Sequence, residues 1–238
     1  MSNKNQKGFG TSLKIDKRQE YSSFIRGLIR QLESSKNVPI CFSGIANCDK
    51  RRQSDLYNIF DGLGVFDHIS SKFVVWKGLN SIVGEFIRHG VENEIRSHQE
   101  TITEIFQVGT SPSLSVLVVK FISLYIYLGI DCLNIRDVAI LMADSSLYVN
   151  KILRRLYLVV FILEQIGVVE HGYAYSNYII KQPLDIIIDA IYQEVSKSGM
   201  FPEDSVEALL NRFDLVYIKN LQLGRRESYI IATKRFNV

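Results

Sequence analysis

The stretch RRQSDLYNIFDGLGVFDH, Arg51–His68, returns as RRLYLVVFILEQIGVVEH, Arg154–His171. Six of the eighteen positions are identical: both arginines, Ile59 with Ile162, Gly64 with Gly167, Val65 with Val168, and His68 with His171. Leu56/Val159, Phe60/Leu163, Asp61/Glu164 and Leu63/Ile166 keep their character. Self-similarity at a fixed offset is the mark of one supersecondary unit used twice. Within each copy Leu56, Ile59, Phe60 and Leu63, or Leu156, Val159, Val160, Leu163 and Ile166, form an apolar stripe at helical spacing. Gly64 and Gly167 supply the stop.

Outward from this helix the period changes from 3.6 to 2. Val65 and Phe66 begin a strand that Phe73 to Trp76 answer, and Val168 and Val169 pair with Tyr178 to Ile180 across a turn. Upstream, a first helix is expected at Gln19 to Leu32, on Phe24, Leu28 and Leu32, and its counterpart at Ser113 to Leu128. A short second helix is expected at Leu133 to Met142, where Asn134 can cap the start. In the first copy this region is compressed to VPICFSGIAN, residues 38–47, and its helix is not defined. Three helices closed by a hairpin describe a winged helix, a module that sets its third helix in the DNA major groove.

The expected fold class is therefore mostly α with small β hairpins (α+β), as tandem winged-helix domains joined by a helical linker. A basic tail covers 1–18, the first winged-helix domain 19–78, the linker 79–108 and the second domain 109–183. Gly84 and Gly90 in the linker each cost about 1 kcal/mol in a helix interior, so a bent helix is expected there, not a straight coiled coil. Residues 184–238 read as two helices, LDIIIDAIYQEVSK and EDSVEALLNR, then a hairpin, DLVYIKNLQLGRRESYIIATK, with Gly224, Arg225 and Arg226 at its turn. This leaves room for a third, degenerate winged-helix unit.

With 47% apolar and 22% charged residues in 238, the chain can bury ordinary cores, which excludes a disordered or collagen-like chain. No apolar run reaches a membrane span without a charge, and the polar amino terminus lacks the apolar stretch of a secretory signal. Cys41, Cys48 and Cys132 suit neither a disulfide framework nor a zinc site. The net charge of +3 hides an asymmetry: residues 1–52 carry eleven Lys or Arg against four acids, a local excess of +7. A basic first module attracts polyanions. No phosphate loop, dinucleotide fingerprint or hydrolase elbow occurs, so neither catalysis nor a cofactor is expected. His68 and His171 follow the two repeat helices and read as structural, not as metal ligands. Trp76 alternates with valines and reads as core.

From Lys50 to Gly78 the first copy and its hairpin read KRRQSDLYNIFDGLGVFDHISSKFVVWKG. This resembles the DNA-binding domain of the E-two-F/DP family of cell-cycle transcription factors. The family's recognition helix runs R-R-x-Y-D into an N-V-L-E-G-I-G-like segment, and its hairpin ends in W-x-G. Arg51, Arg52, Asp55, Asn58 to Gly64, and Trp76 to Gly78 match. In the second copy Arg154, Arg155, Tyr157 and Ile162 to Gly167 match, and LNIRDVAILM resembles the preceding helix. Ser54 replaces the tyrosine in one copy and Leu158 the aspartate in the other. The resemblance covers two thirds of the chain, ends at Pro183, and corresponds to atypical members, which carry two such domains in tandem.

The resemblance implies a nuclear transcription regulator that reads GC-rich double-stranded DNA. Arg51, Arg52, Arg154 and Arg155 would be base readers, because a guanidinium fork fits guanine O6 and N7. Lys50 and Lys151 would bind phosphates and orient the helices. The rival reading is a tandem winged-helix scaffold in a nuclear or chromatin-associated complex. There the apolar second copy and the segment after Pro183 would bind proteins, and the arginines would be solvated or paired with Asp49 or Asp55.

Overall fold

A computed structural model of the chain describes residues 17–42, 49–70, 72–197 and 215–235. The chain is mostly helical, with two small antiparallel sheets of three strands each. The first copy comprises α1 (Lys17–Ser34), β1 (Pro39–Cys41), α2 (Lys50–Gly62), β2 (Phe66–His68) and β3 (Phe73–Trp76). A turn at Leu79–Ser81 leads to α3 (Ile82–Ser97) and α4 (Ile102–Phe106). The second copy comprises α5 (Leu114–Leu128), β4 (Cys132–Asn134), α6 (Ile135–Met142), α7 (Ser146–Gln165), β5 (Val169–His171) and β6 (Asn177–Ile180). It is followed by α8 (Leu184–Lys197) and α9 (Leu215–Thr233).

The two sheets have the same order, β1-β3-β2 and β4-β6-β5. Their hairpins start in the same register, Phe66 opposite Trp76 and Val169 opposite Ile180. Each follows a glycine in the left-handed region, Gly64 at φ 67° and Gly167 at φ 74°, a conformation that residues with a Cβ adopt only with strain. The amide of the next residue then turns back onto the helix, Val65 N to Phe60 O and Val168 N to Leu163 O. This is how the repeat, read as a stop followed by alternation, becomes a helix bent onto its own hairpin. The strands β1 and β4, which complete the sheets, are three residues each, too short to leave a periodic signal.

The apolar stripes point inward. Leu56, Ile59, Phe60 and Leu63 are buried on α2, as are Leu156, Val159, Val160 and Leu163 on α7, and the buried side chains join into one cluster through both copies. Trp76 is fully buried against Phe60 and Phe66. On α6, Asn134 accepts from Arg136 N and caps the start, as its sequence position requires.

Two expectations change. The linker is not one bent helix: it breaks between α3 and α4, where Thr101 and Glu104 form a reciprocal capping box that starts α4 anew. The hairpin expected in DLVYIKNLQLGRRESYIIATK is instead the single helix α9, and with it the case for a third winged-helix unit falls. Ile218, Gln222, Arg225 and Ala232 line its buried face at helical spacing. Two of these are polar, so the apolar period that marks a helix was broken in the sequence. The expected helix at EDSVEALLNR lies outside the described residues, as do residues 43–47 of the compressed region.

Candidate nucleic-acid interface

Asp49 caps α2 by accepting from Arg51 N at 3.1 Å, which fixes where the basic triplet sits: on the first turn, at the positive end of the helix dipole. Lys50 and Arg51 face solvent. Arg52, one position on, turns the other way. Its guanidinium lies 4.9 Å from the centre of the Tyr21 ring, and Tyr21 donates to the Arg52 carbonyl at 3.3 Å. Behind it Gln53 is buried and donates to the Phe42 carbonyl at 2.7 Å.

On α7 the corresponding residues lie deeper in the helix, because α7 begins at Ser146, eight residues before Arg154. Arg154 faces solvent and Arg155 is half-buried. Lys151 is exposed, but its ammonium donates to the Thr110 carbonyl at 2.8 Å and so ties α7 to the loop before α5. The Tyr157 hydroxyl lies 3.3 Å from that of Ser176, in the loop of the second hairpin just before β6.

The first turns of α2 and the middle of α7 face one another around Arg52 and Asp55. Burial raises its carboxyl above the usual carboxylate value, while Arg51 on its own helix and Arg155 on α7 both pull it down. Below this point α1 packs on α7: Tyr21 stacks on Phe161 with ring centres 5.8 Å apart, and Arg26 donates to Gln165 at 3.2 Å. A cleft of about 380 Å³ remains in the seam, lined by Tyr21, Arg52, Tyr157, Phe161 and Tyr178 among others. Among the described residues no ion pair holds any of the four arginines.

The six residues singled out by sequence thus divide. Lys50, Arg51, Lys151 and Arg154 lie on the outer surface around the seam, whereas Arg52 lines its cleft and Arg155 acts on Asp55 across it. Sequence reasoning missed Tyr21, whose ring receives Arg52; its one visible signal was its place four residues before Ile25 on the buried side of α1. It also missed the second hairpin tip, where Tyr173 is fully exposed and Tyr175 is 78% exposed.

The paired histidines have different partners. His68 bonds Asp61 at 2.6 Å, so the first hairpin is tied to α2, while His171 bonds the Gly172 carbonyl. Among the described residues no group of His, Cys, Asp and Glu has the arrangement of a metal site. No helix there is long and apolar enough to cross a membrane. Neither a family model, nor a curated protein, nor a solved structure matches the chain.

Proposed function

We propose that this chain is a nuclear, double-stranded-DNA-binding protein built from two winged-helix modules, similar to the E-two-F/DP transcription factors and acting by recognition without chemistry. The observation that carries this reading is the cleft that Arg52 of α2 shares with Tyr157 and Phe161 of α7, two repeat helices that each carry exposed basic side chains, Lys50 and Arg51 on one and Lys151 and Arg154 on the other. In this reading Arg51 and Arg154 read guanines, and Lys50 contacts phosphate at the positive end of α2. Arg52 and Arg155 hold the seam and so set the angle between the two reading helices. Duplex selection from a random pool at fixed salt tests it. A GC-rich site should emerge, and Arg51→Ala with Arg154→Ala should abolish the preference while salt-dependent, sequence-independent binding survives.

The scaffold reading is favoured by one observation, the bare aromatic tip of the second hairpin at Tyr173 and Tyr175. If it holds, selection yields no site, duplex affinity stays at the weak non-specific level, and stoichiometric protein partners are recovered.

A further inference from the structure

Beyond the carboxyl end of α5, the helices α8 and α9 border a cleft of about 740 Å³ whose charges are sorted by wall. Asp185 and Asp189, one turn apart on α8, and Asp131, in the loop after α5, bring three exposed carboxylates to it. The α9 side carries Lys219, Gln222 and Arg226, whose spacing puts them on one stripe of the helix. Leu184, Ile188 and Ile218 add apolar surface between the two. Among the described residues no ion pair crosses this cleft. Gln222 is only 8% exposed, and its amide lies over Gly129, where a Cβ would fall 2.3 Å from the amide carbon and 2.4 Å from its nitrogen and oxygen. Among the described residues that amide has no hydrogen-bond partner, a costly state for a buried polar group. Arg226 donates to the Leu128 and Gly129 carbonyls at 2.8 and 2.5 Å through Nε and Nη2, which leaves Nη1 over.

We propose that this cleft binds a basic α-amino acid, with its two cationic groups on the aspartate wall and its α-carboxylate on Lys219 and Arg226. Three carboxylates against two bases leave the lining one negative charge in excess. A basic amino acid carries two positive charges and one negative, which is the complement. A polyamine would set ammonium groups against the bases of α9, and an amino acid with a neutral side chain would leave carboxylates unanswered. A metal ion does not fit, since among the described residues no group of carboxylates has the arrangement to hold one. The Gln222 amide both donates and accepts, so the same ligand completes it. Its aliphatic stem matches the apolar strip of Ile188 and Ile218. Nothing in this inference depends on whether the chain binds DNA.

Isothermal titration of the full chain with L-arginine tests it. A Kd on the order of 100 µM is expected for a ligand of about a dozen heavy atoms in an open cleft. L-Citrulline, which lacks the side-chain charge, and agmatine, which lacks the carboxylate, should each bind about tenfold more weakly or worse. Asp185→Asn combined with Asp189→Asn should weaken arginine by about tenfold or more. Lys219→Met should weaken arginine yet leave agmatine as it was or tighter, because only arginine brings a carboxylate to that wall. Gln222→Leu should weaken arginine while the melting temperature of the free protein holds or rises, since leucine removes an unpaired buried amide; a glutamine with a merely structural role would lower it. Unchanged circular dichroism of each variant confirms that the fold is kept. No binding at millimolar arginine, equal affinity for agmatine, or indifference of arginine binding to the aspartate pair or to Gln222→Leu overturns the proposal.

Discussion

Glu94 and Arg225 lie 131 positions apart and meet in the interior through two bonds, of 2.7 and 2.6 Å. The guanidinium also lies 4.0 Å from the centre of the Tyr127 ring and donates to Ser97. Burial alone would make Arg225 give up its proton more readily, but the bonds to Glu94 more than reverse this. The pair locks α9 to α3. Arg226 and Arg235 extend the attachment by donating to carbonyls at the carboxyl ends of α5 and α6, among them Leu128 and Leu141.

Arg225→Met should therefore be strongly destabilising, by about 3–5 kcal/mol, because it strands the Glu94 carboxylate away from water. Combining it with Glu94→Leu should recover most of the loss. Urea unfolding of the two variants checks both statements, and a small effect of Arg225→Met alone would mean that water reaches Glu94.

At Gly90 the Ile191 side chain of α8 packs so close to α3 that a methyl group would overlap its end. Gly90→Ala should cost about 1–3 kcal/mol as overpacking, despite the better helix propensity of alanine. Ile191→Val in the same chain should return part of it, a coupling that a double-mutant cycle measures directly. Gly84, which faces open space, should instead gain stability on the same substitution.

Lys120 is the one Lys, Arg, Asp or Glu within the apolar helix α5, where it donates to the Ile105 carbonyl beside the Phe106 ring. Burial, reinforced by Arg96, lowers its ammonium to about 8, against the opposing pull of Glu100 and Glu92. The folded state thus binds this proton more weakly than the unfolded chain does. Between about pH 8 and the free-lysine value of 10.5 the unfolded state holds more proton, so stability rises with pH across that window. Lys120→Met should remove this rise. The difference between wild type and variant in urea unfolding at pH 7 and pH 10 isolates it from tyrosine ionisation.

Arg51 and Arg52, adjacent in sequence, should separate in experiment. On the DNA-binding reading, Arg51→Ala relaxes the site preference by about 1–3 kcal/mol at one base pair. Arg52→Ala should leave preference at that base pair intact and instead cost about 0.5–1 kcal/mol of stability through the lost contact with Tyr21. Lys50→Ala should weaken all duplexes alike and reduce the salt slope by about 0.9. Equal behaviour of the two arginine variants would contradict the division of roles.

The repeat itself, both helix stops and both hairpins were legible in the sequence because each rests on local chemistry. A glycine at Gly64 or Gly167 stops a helix wherever it stands, and the change from a 3.6 to a 2.0 period marks the strands that follow. Asn134 as a cap and Trp76 as core belong to the same class. The break at Thr101 was also written locally, as Thr101 with Glu104, but the apolar rhythm running through it concealed the signal.

What the sequence by itself determined is the pair of matching helix-hairpin units and their buried stripes, since those depend on neighbours within a few turns. What only the tertiary structure decided is where charge goes. Arg51 and Arg52 are alike in composition and propensity; the turn of 100° between them sends one to solvent and the other onto Tyr21, 31 positions away. Arg225 looked like a turn residue because nothing nearby in the chain shows that Glu94 waits for it across the fold.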